Sequence, residues 1–267
     1  MVKQLERDVL EGQSRRPERE IDIQGLSKVY ATNKGVFEAL KDVSMHVNNE
    51  EFVTILGPSG CGKSTILRIL AGLEDYDGGS VQVTGEDVTG PSEKRGMVFQ
   101  SYTLFPWLTV RENIEFGLKL KGMSPQQRKE ISDRYLKIVD LEQFADSYGK
   151  ELSGGMKQRV AIARSLANNP EVLLMDEPFG ALDAQTKHSM QQLLLNIWKK
   201  EKTTIVFITH DIDEALFLSQ RIYVMEARPG RIIEEIDADL GLFENGELID
   251  VEKFMEVKKH IVSLLKH

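Results

Sequence analysis

The chain has 267 residues, 41% hydrophobic and 28% charged, with a formal net charge of −8, which leaves room for one large globular domain or a domain with an inserted lobe. Its acidic balance argues against nucleic acid as a partner, since phosphate backbones demand clustered positive charge. No apolar run reaches the roughly 18–20 residues of a membrane-spanning helix, and the charged N-terminus lacks the apolar core of a secretion signal. The single cysteine, Cys61, permits no intrachain disulfide, so a cytoplasmic setting is expected.

In chain order, residues 1–19 are rich in charge and read as a mobile tail. EIDIQGLSKVY at 20–30 alternates like a strand. A loop containing 33-NKG-35 follows, and then a second strand over 38–47. The turn 48-NNEE-51 leads into FVTIL at 52–56, a short apolar run suited to a buried strand. After a glycine-rich loop the pattern predicts a helix over 63–73, with strands at 80–85 and 96–100. From 101 to 167 the texture is helical, with loops at 121–125 and 146–151, and reads as an insertion. Strand patterns return at 171–176, 203–209 and 221–226. The helix at 185–200 carries a stripe of Met190, Leu193, Leu194, Ile197 and Trp198. A last helix over 251–266 carries Phe254, Val257, Ile261, Leu264 and Leu265 on one face. Short apolar strands alternating with amphipathic helices predict an α/β fold, a parallel sheet covered on both faces. The main domain spans 20–240 and the C-terminal extension 241–267.

GPSGCGKS at 57–64 fits the phosphate-loop pattern at every fixed position, with a strand before it and a helix after it. Gly57, Pro58, Ser59, Gly60, Cys61, Gly62, Lys63, Ser64 and Thr65 are the expected phosphate contacts. The glycines let the backbone curl its amides inward, Lys63 reaches the β and γ phosphates, and the Ser64 hydroxyl sits on Mg²⁺. Cys61 holds a variable position, as space filler or redox switch. Asp176 and Glu177 close the apolar strand VLLMDE, at the strand end where open α/β sheets bind ligands. Asp176 is placed to hold Mg²⁺ through water, and Glu177, facing the other way, to reach the attacking water. His210 ends another strand and Gln100 a third, as γ-phosphate contact and as Mg²⁺ or water contact respectively.

The sequence then presents 152-LSGGMKQRVAIARSLA-167, a second anion-holding helix start, far along the chain from the first. Together these residues resemble the ATP-binding subunits of ABC transporters, most closely the nitrate/sulfonate/taurine importer branch. In that family's terms, Gln100 is the Q-loop glutamine, LSGGMKQR the signature, VLLMDE the Walker B strand and 180-GALD-183 the D-loop, with His210 the switch histidine. The resemblance implies a P-loop NTPase (RecA-like) core, an antiparallel β subdomain and an inserted α-helical subdomain. It implies ATP and Mg²⁺ as cofactors and pairing head to tail with a second copy or a homologous ATPase. Ser153, Gly154 and Gly155 would then cradle the γ-phosphate of the partner's ATP. Tyr30 would stack on adenine, if it is not an ordinary strand-end aromatic, and Asp183 would signal across the interface.

The family usually has a glycine where Glu50 stands, and Asn48 or Asn49 is expected to supply any left-handed residue that turn needs. Tyr102, Phe105, Pro106 and Trp107 are core or, by resemblance, the docking place of a separate membrane permease, with a substrate-binding protein in the full system. The cassette would then lie peripherally on the inner face of the cell membrane. A soluble ABC ATPase of DNA repair or ribosomes is disfavoured by the missing basic patches and second nucleotide domain. A P-loop kinase or GTP switch would lack the signature, and a purely regulatory ATP-binding module would lack Glu177 or His210.

Overall fold

The computed structural model describes residues 19–32, 35–239, 243–244 and 247–266. The expected tail lies outside these residues except for Arg19, as does the 240/241 boundary. Two long strands open the chain, β1 (Arg19–Thr32) and β2 (Gly35–Asn48), paired antiparallel along their whole length. They run several residues further than the alternation alone suggests, because each strand's backbone completes its hydrogen bonds on the other. There follow β3 (Phe52–Leu56), α1 (Lys63–Leu70), β4 (Gly78–Val83), β5 (Glu86–Asp87) and β6 (Arg95–Val98). The helix after the phosphate loop ends three residues short of the expected Leu73, since Gly72 turns left-handed at φ +72°. The strand expected to reach Gln100 stops at Val98.

The inserted lobe holds α2 (Val110–Leu120), α3 (Pro125–Ile138) and α4 (Gly154–Ala167). The chain returns through β7 (Val172–Asp176), α5 (Ala184–Glu201), β8 (Thr204–Thr209), α6 (Ile212–Leu218), β9 (Arg221–Glu226) and β10 (Arg231–Asp237). It closes with β11 (Phe243–Glu244), β12 (Glu247–Leu248) and α7 (Val251–Leu264). The central sheet has the order β10-β9-β3-β8-β7-β6, all neighbours parallel except β9 and β10. A second sheet, β2-β1-β4-β5, is antiparallel. No helix among the described residues is long and apolar enough to cross a membrane.

Strand alternation explains how one sheet serves two cores. On β7 and β8, Leu173, Met175, Ile205 and Phe207 face the helical lobe and α5, while Val172, Leu174, Val206 and Ile208 face α1 and the antiparallel sheet. Every residue of β3, β7 and β8 is buried, so these strands read as continuous apolar runs. The expected stripes on α5 and α7 also point inward, with Met190, Leu194 and Ile197 buried on the first and Phe254 and Ile261 on the second.

The left-handed residue before β3 is Glu50 itself, at φ +61°, not Asn48 or Asn49. Its amide donates to Thr204 Oγ1 at 2.9 Å and its carbonyl accepts from the Trp198 indole at 3.0 Å. These tertiary bonds offset the roughly 1–2 kcal/mol that a left-handed residue with a Cβ costs.

Local capping starts each helix of the lobe. Thr109 with Glu112 and Ser124 with Gln127 form complete capping boxes on α2 and α3. The loop before α2 is held by buried Asn113. Its Oδ1 accepts from the Phe105 amide at 2.9 Å, and its Nδ2 donates to the carbonyls of Phe105, Leu108 and Thr109 at 2.9–3.2 Å. Asn113→Leu, which strands these backbone groups, is expected to lower unfolding free energy by about 2–4 kcal/mol in urea titrations, the scale of several orphaned buried hydrogen-bonding groups.

Candidate active site

Four strand ends and one loop converge on the site. Beyond Leu56 the chain curls through residues 57–62, with Gly62 at φ +98° and packed so closely that a Cβ would lie 2.5 Å from the Leu40 side chain. Only glycine serves there. Pro58, Ser59 and Gly60 form the exposed tip. Lys63 starts α1, is buried, and donates from Nζ to the carbonyls of Gly57 at 2.8 Å and Pro58 at 3.0 Å. The same ammonium lies 3.8 Å from Glu177 Oε1. Cys61 is fully buried beneath the loop, and burial pushes its thiol pKa up, which suits packing rather than redox exchange.

Ser64 donates from Oγ to Asp176 Oδ1 at 2.9 Å, joining the loop to the end of β7. Burial pushes the Asp176 carboxyl above its ordinary range, against the hydrogen bond from Ser64. Ser64 and Asp176 are hard oxygen donors side by side, and they fit a small divalent cation such as Mg²⁺.

Glu177, the next residue, adopts φ +41°, uncommon for a residue with a Cβ and a form of strain that clusters at functional sites. Its amide donates to the Ile208 carbonyl at 3.0 Å, which ties the ends of β7 and β8 together. Its side chain bridges two motifs: besides Lys63 on one oxygen, Oε2 lies 3.0 Å from His210 Nδ1. His210 thus meets Glu177 directly. Gln100 is exposed past the end of β6 and makes no hydrogen bond among the described residues, so it is not brought to Ser64 or Asp176 here.

Tyr30, on β1, reaches the same loop from the antiparallel sheet. Its hydroxyl donates to the Glu74 carboxylate and lies 3.5 Å from Thr65 Oγ1, and burial with the Glu74 contact raises its pKa. The Lys28 ammonium sits 5.3 Å from the ring centroid, a cation–π contact. Ser153 caps α4, its Oγ accepting from the Met156 amide at 3.3 Å, and Gly154 and Gly155 form the bare first turn. Among the described residues no hydrogen bond or ion pair joins Ser153, Gly154 or Gly155 to the loop at 57–65; the two anion-holding ends remain separate within one chain. Asp183 similarly caps α5 through Thr186.

Two groups lie outside what the motifs indicate. Beside His210, Lys187 donates to Asp211 at 2.7 Å and lies 3.5 Å from Glu214, which accepts from Thr209 and Gln191. This half-buried network holds the start of α6, and its members are too scattered along the chain to be found by spacing. The second is a cleft of about 620 Å³ at the lobe's edge, lined by Met97, Phe99, Phe105, Phe116, Leu120 and Arg164 among others. Of the expected aromatic cluster only Phe105 lines it, while Pro106 and Trp107 stand exposed beside it.

The ABC transporter family pattern matches residues 40–180, from the middle of β2 to just past the acidic pair. The chain belongs to the ABC transporter family. This cassette is 53% identical to the nitrate import ATP-binding protein NrtD of Synechocystis sp. over 220 residues, 82% of this chain and 83% of that protein. It is 45% identical to the aliphatic sulfonates import ATP-binding protein SsuB of Bacillus cereus over 247 residues, 92% of this chain and 96% of that one. Its fold also matches a dimeric ATP-binding cassette in a post-hydrolysis state with ADP and Pi. The TM-score is 0.73 at 36% identity, covering 82% of this chain and 98% of that one. The P-loop α/β fold and the ATPase assignment expected from the motifs therefore hold. The cassette is an ABC-type ATPase.

The raised Asp176 pKa has a consequence for stability. Folding favours the protonated form, so the cost of the buried charge is fully present above the folded-state pKa. It is relieved as pH falls through that value towards the ordinary carboxylate pKa of about 3.9. In thermal scans without nucleotide or Mg²⁺, Asp176→Asn is expected to melt above the wild type at pH 7–8, an advantage that shrinks towards pH 4.

Proposed function

We propose that the cassette is the motor subunit of an importer for a small solute of the nitrate, sulfonate or taurine kind. It would work as a head-to-tail pair with a second copy or a homologous ATPase. The observation that carries this reading is Glu177, held by strand pairing between the Lys63 ammonium at 3.8 Å and the His210 imidazole at 3.0 Å, next to the Ser64–Asp176 pair. In this reading Gly57 to Gly62 turn their amides to the phosphates, Lys63 donates to the β and γ oxygens, and Thr65 and Tyr30 flank the nucleotide. Ser64, Asp176 and Gln100 would hold Mg²⁺, which when bound supplies charge neutralisation across the β and γ phosphates. Glu177 orients and deprotonates the attacking water, and His210 holds the Glu177 carboxylate and contacts the γ-phosphate.

Ser153, Gly154 and Gly155 receive the γ-phosphate of ATP bound to the partner. Their separation from the loop in one chain supports this, because a second set of backbone donors reaches the phosphate only when two chains meet. Cleavage removes the bridging group and the pair opens. The cleft at Phe105, Phe116 and Leu120, mixed apolar and charged in its lining, supports docking of a helix from a separate permease, and the cassette would then lie at the inner face of the membrane. A substrate-binding protein completes the system. The nitrate and sulfonate relatives support the solute class by similarity of the motor, the cargo site lying in other subunits.

Two measurements test the reading. Glu177→Gln is expected to lower ATP turnover about 10²–10⁴-fold, the usual worth of a positioned general base, while retaining MgATP. In light scattering that variant should dimerise on adding ATP, and Ser153→Arg in the same background should remain monomeric. A Glu177→Gln protein that hydrolyses ATP at the wild-type rate, or an ATP dimer indifferent to Ser153→Arg, contradicts the assignment.

A further inference from the structure

We infer that Tyr102 and Gln158 form a latch that transmits the position of the Gln100 segment to α4, the helix whose head holds the partner's phosphate. The inference rests on the function proposed above. Gln158 is completely buried, and among the described residues neither its Oε1 nor its Nε2 has a hydrogen-bond partner. Buried polar side chains are almost always satisfied, so an orphaned amide needs a reason. A helical side chain points back towards the helix N-terminus, over the residue four places earlier. For Gln158 that residue is Gly154, which offers no side chain. The space is taken instead by Tyr102, whose hydroxyl would lie 2.9 Å from a Cβ built on Gly154. Tyr102 also makes no hydrogen bond among the described residues. Two unpaired polar groups therefore flank the same bare turn of helix without touching.

The segment that carries Tyr102 is built to move them together. Thr103, the next residue, has φ +46°, an outlying conformation for a β-branched residue. It is pinned to α4 by Arg164, which donates to its carbonyl at 2.8 Å and to its hydroxyl at 3.0 Å. On the other side Gln100 and Ser101 are exposed and free of such ties. Thr103 is thus a fixed pivot, and a displacement of Gln100 by nucleotide swings the Tyr102 phenol. In the engaged state the Tyr102 hydroxyl donates to Gln158 Oε1 and holds the first turn of α4, with Ser153, Gly154 and Gly155, at the setting that accepts phosphate. Tyr102 and Gln158 are positioning residues that act through that turn.

The test is a double-mutant cycle of Gln158→Met, Tyr102→Phe and the pair, in the full-length chain. Melting temperature is read without nucleotide, and kcat and KM with MgATP. An amide without a partner contributes no stability to the resting state, so Gln158→Met should melt no lower than the wild type. Each single variant should lose about fivefold in kcat, the worth of one ordinary hydrogen bond, with KM unchanged. The double variant should lose no more than either single one. A Gln158→Met protein that melts several degrees lower with normal kcat, or losses that multiply in the double variant, overturns the latch. Tyr102→Phe alone decides the matter if Gln158→Met fails to fold: unchanged kcat refutes the latch. A wild-type protein that does not hydrolyse MgATP refutes the function and the latch with it. Hydrolysis with structural or additive variants refutes the latch alone.

Discussion

The hydrogen bond from the Glu177 amide to the Ile208 carbonyl, 3.0 Å long, is the constraint around which the site is arranged. It lies where β7 and β8 run out, so the last pairing of a parallel sheet also forces Glu177 into a left-handed turn. That turn sends the Asp176 and Glu177 side chains to different partners, one to Ser64 and the other to Lys63 and His210. A sheet interior is rigid because both faces are packed, and its ends inherit that rigidity. The backbones that carry the acids, the lysine and the histidine are therefore held by the core, and their side chains by one another. The strain at Glu177 is carried by the pairing beneath it.

The same sheet explains the division of labour in the molecule. Alternate residues of β7 and β8 feed two cores, one shared with the helical lobe and one with α1 and the antiparallel sheet. Cys61 of the phosphate loop belongs to the second core, and Met156 at the head of α4 packs against the first. The chain thus carries two glycine-rich helix starts packed against different cores, and the proposed pairing with a second molecule is what would close one over the other. In the function proposed above, catalysis depends on association and association on the nucleotide, the coupling a mechanical cycle requires.

Besides the shared core, specific polar bonds join the lobe to the rest of the chain. Ser165 to the Met97 carbonyl fastens α4 to β6, Arg164 to Thr103 fastens α4 to the segment that follows, and the Asn113 cluster closes the loop before α2. The Lys187–Asp211–Glu214 network steadies the start of α6 next to His210 in the same way. Such polar ties fix orientation more than they add stability, since a net hydrogen bond is worth only about 1 kcal/mol.

The sequence by itself determined the main strands of the central sheet, the phosphate-loop pattern and the candidate groups of the site. An apolar run followed by a glycine loop, or by two acids, is a local pattern whose physics needs no knowledge of the rest of the chain. It also determined the two glycine-rich helix starts, because capping and bare glycines act within one helical turn. Only the tertiary structure decided which of these groups meet. Lys63, Glu177 and His210 are far apart along the chain and come together through strand order, which no local signal encodes. Glu50 shows the same limit in miniature. Local propensity favours an asparagine for the left-handed position, and the glutamate holds it because Thr204 and Trp198, distant in sequence, supply the hydrogen bonds that offset the strain. The extent of β1 and β2, the end of β6 before Gln100 and the cleft at the lobe's edge were likewise settled by partners across space. Propensity acts over a few residues, whereas pairing and packing energies belong to contacts between distant segments of the chain.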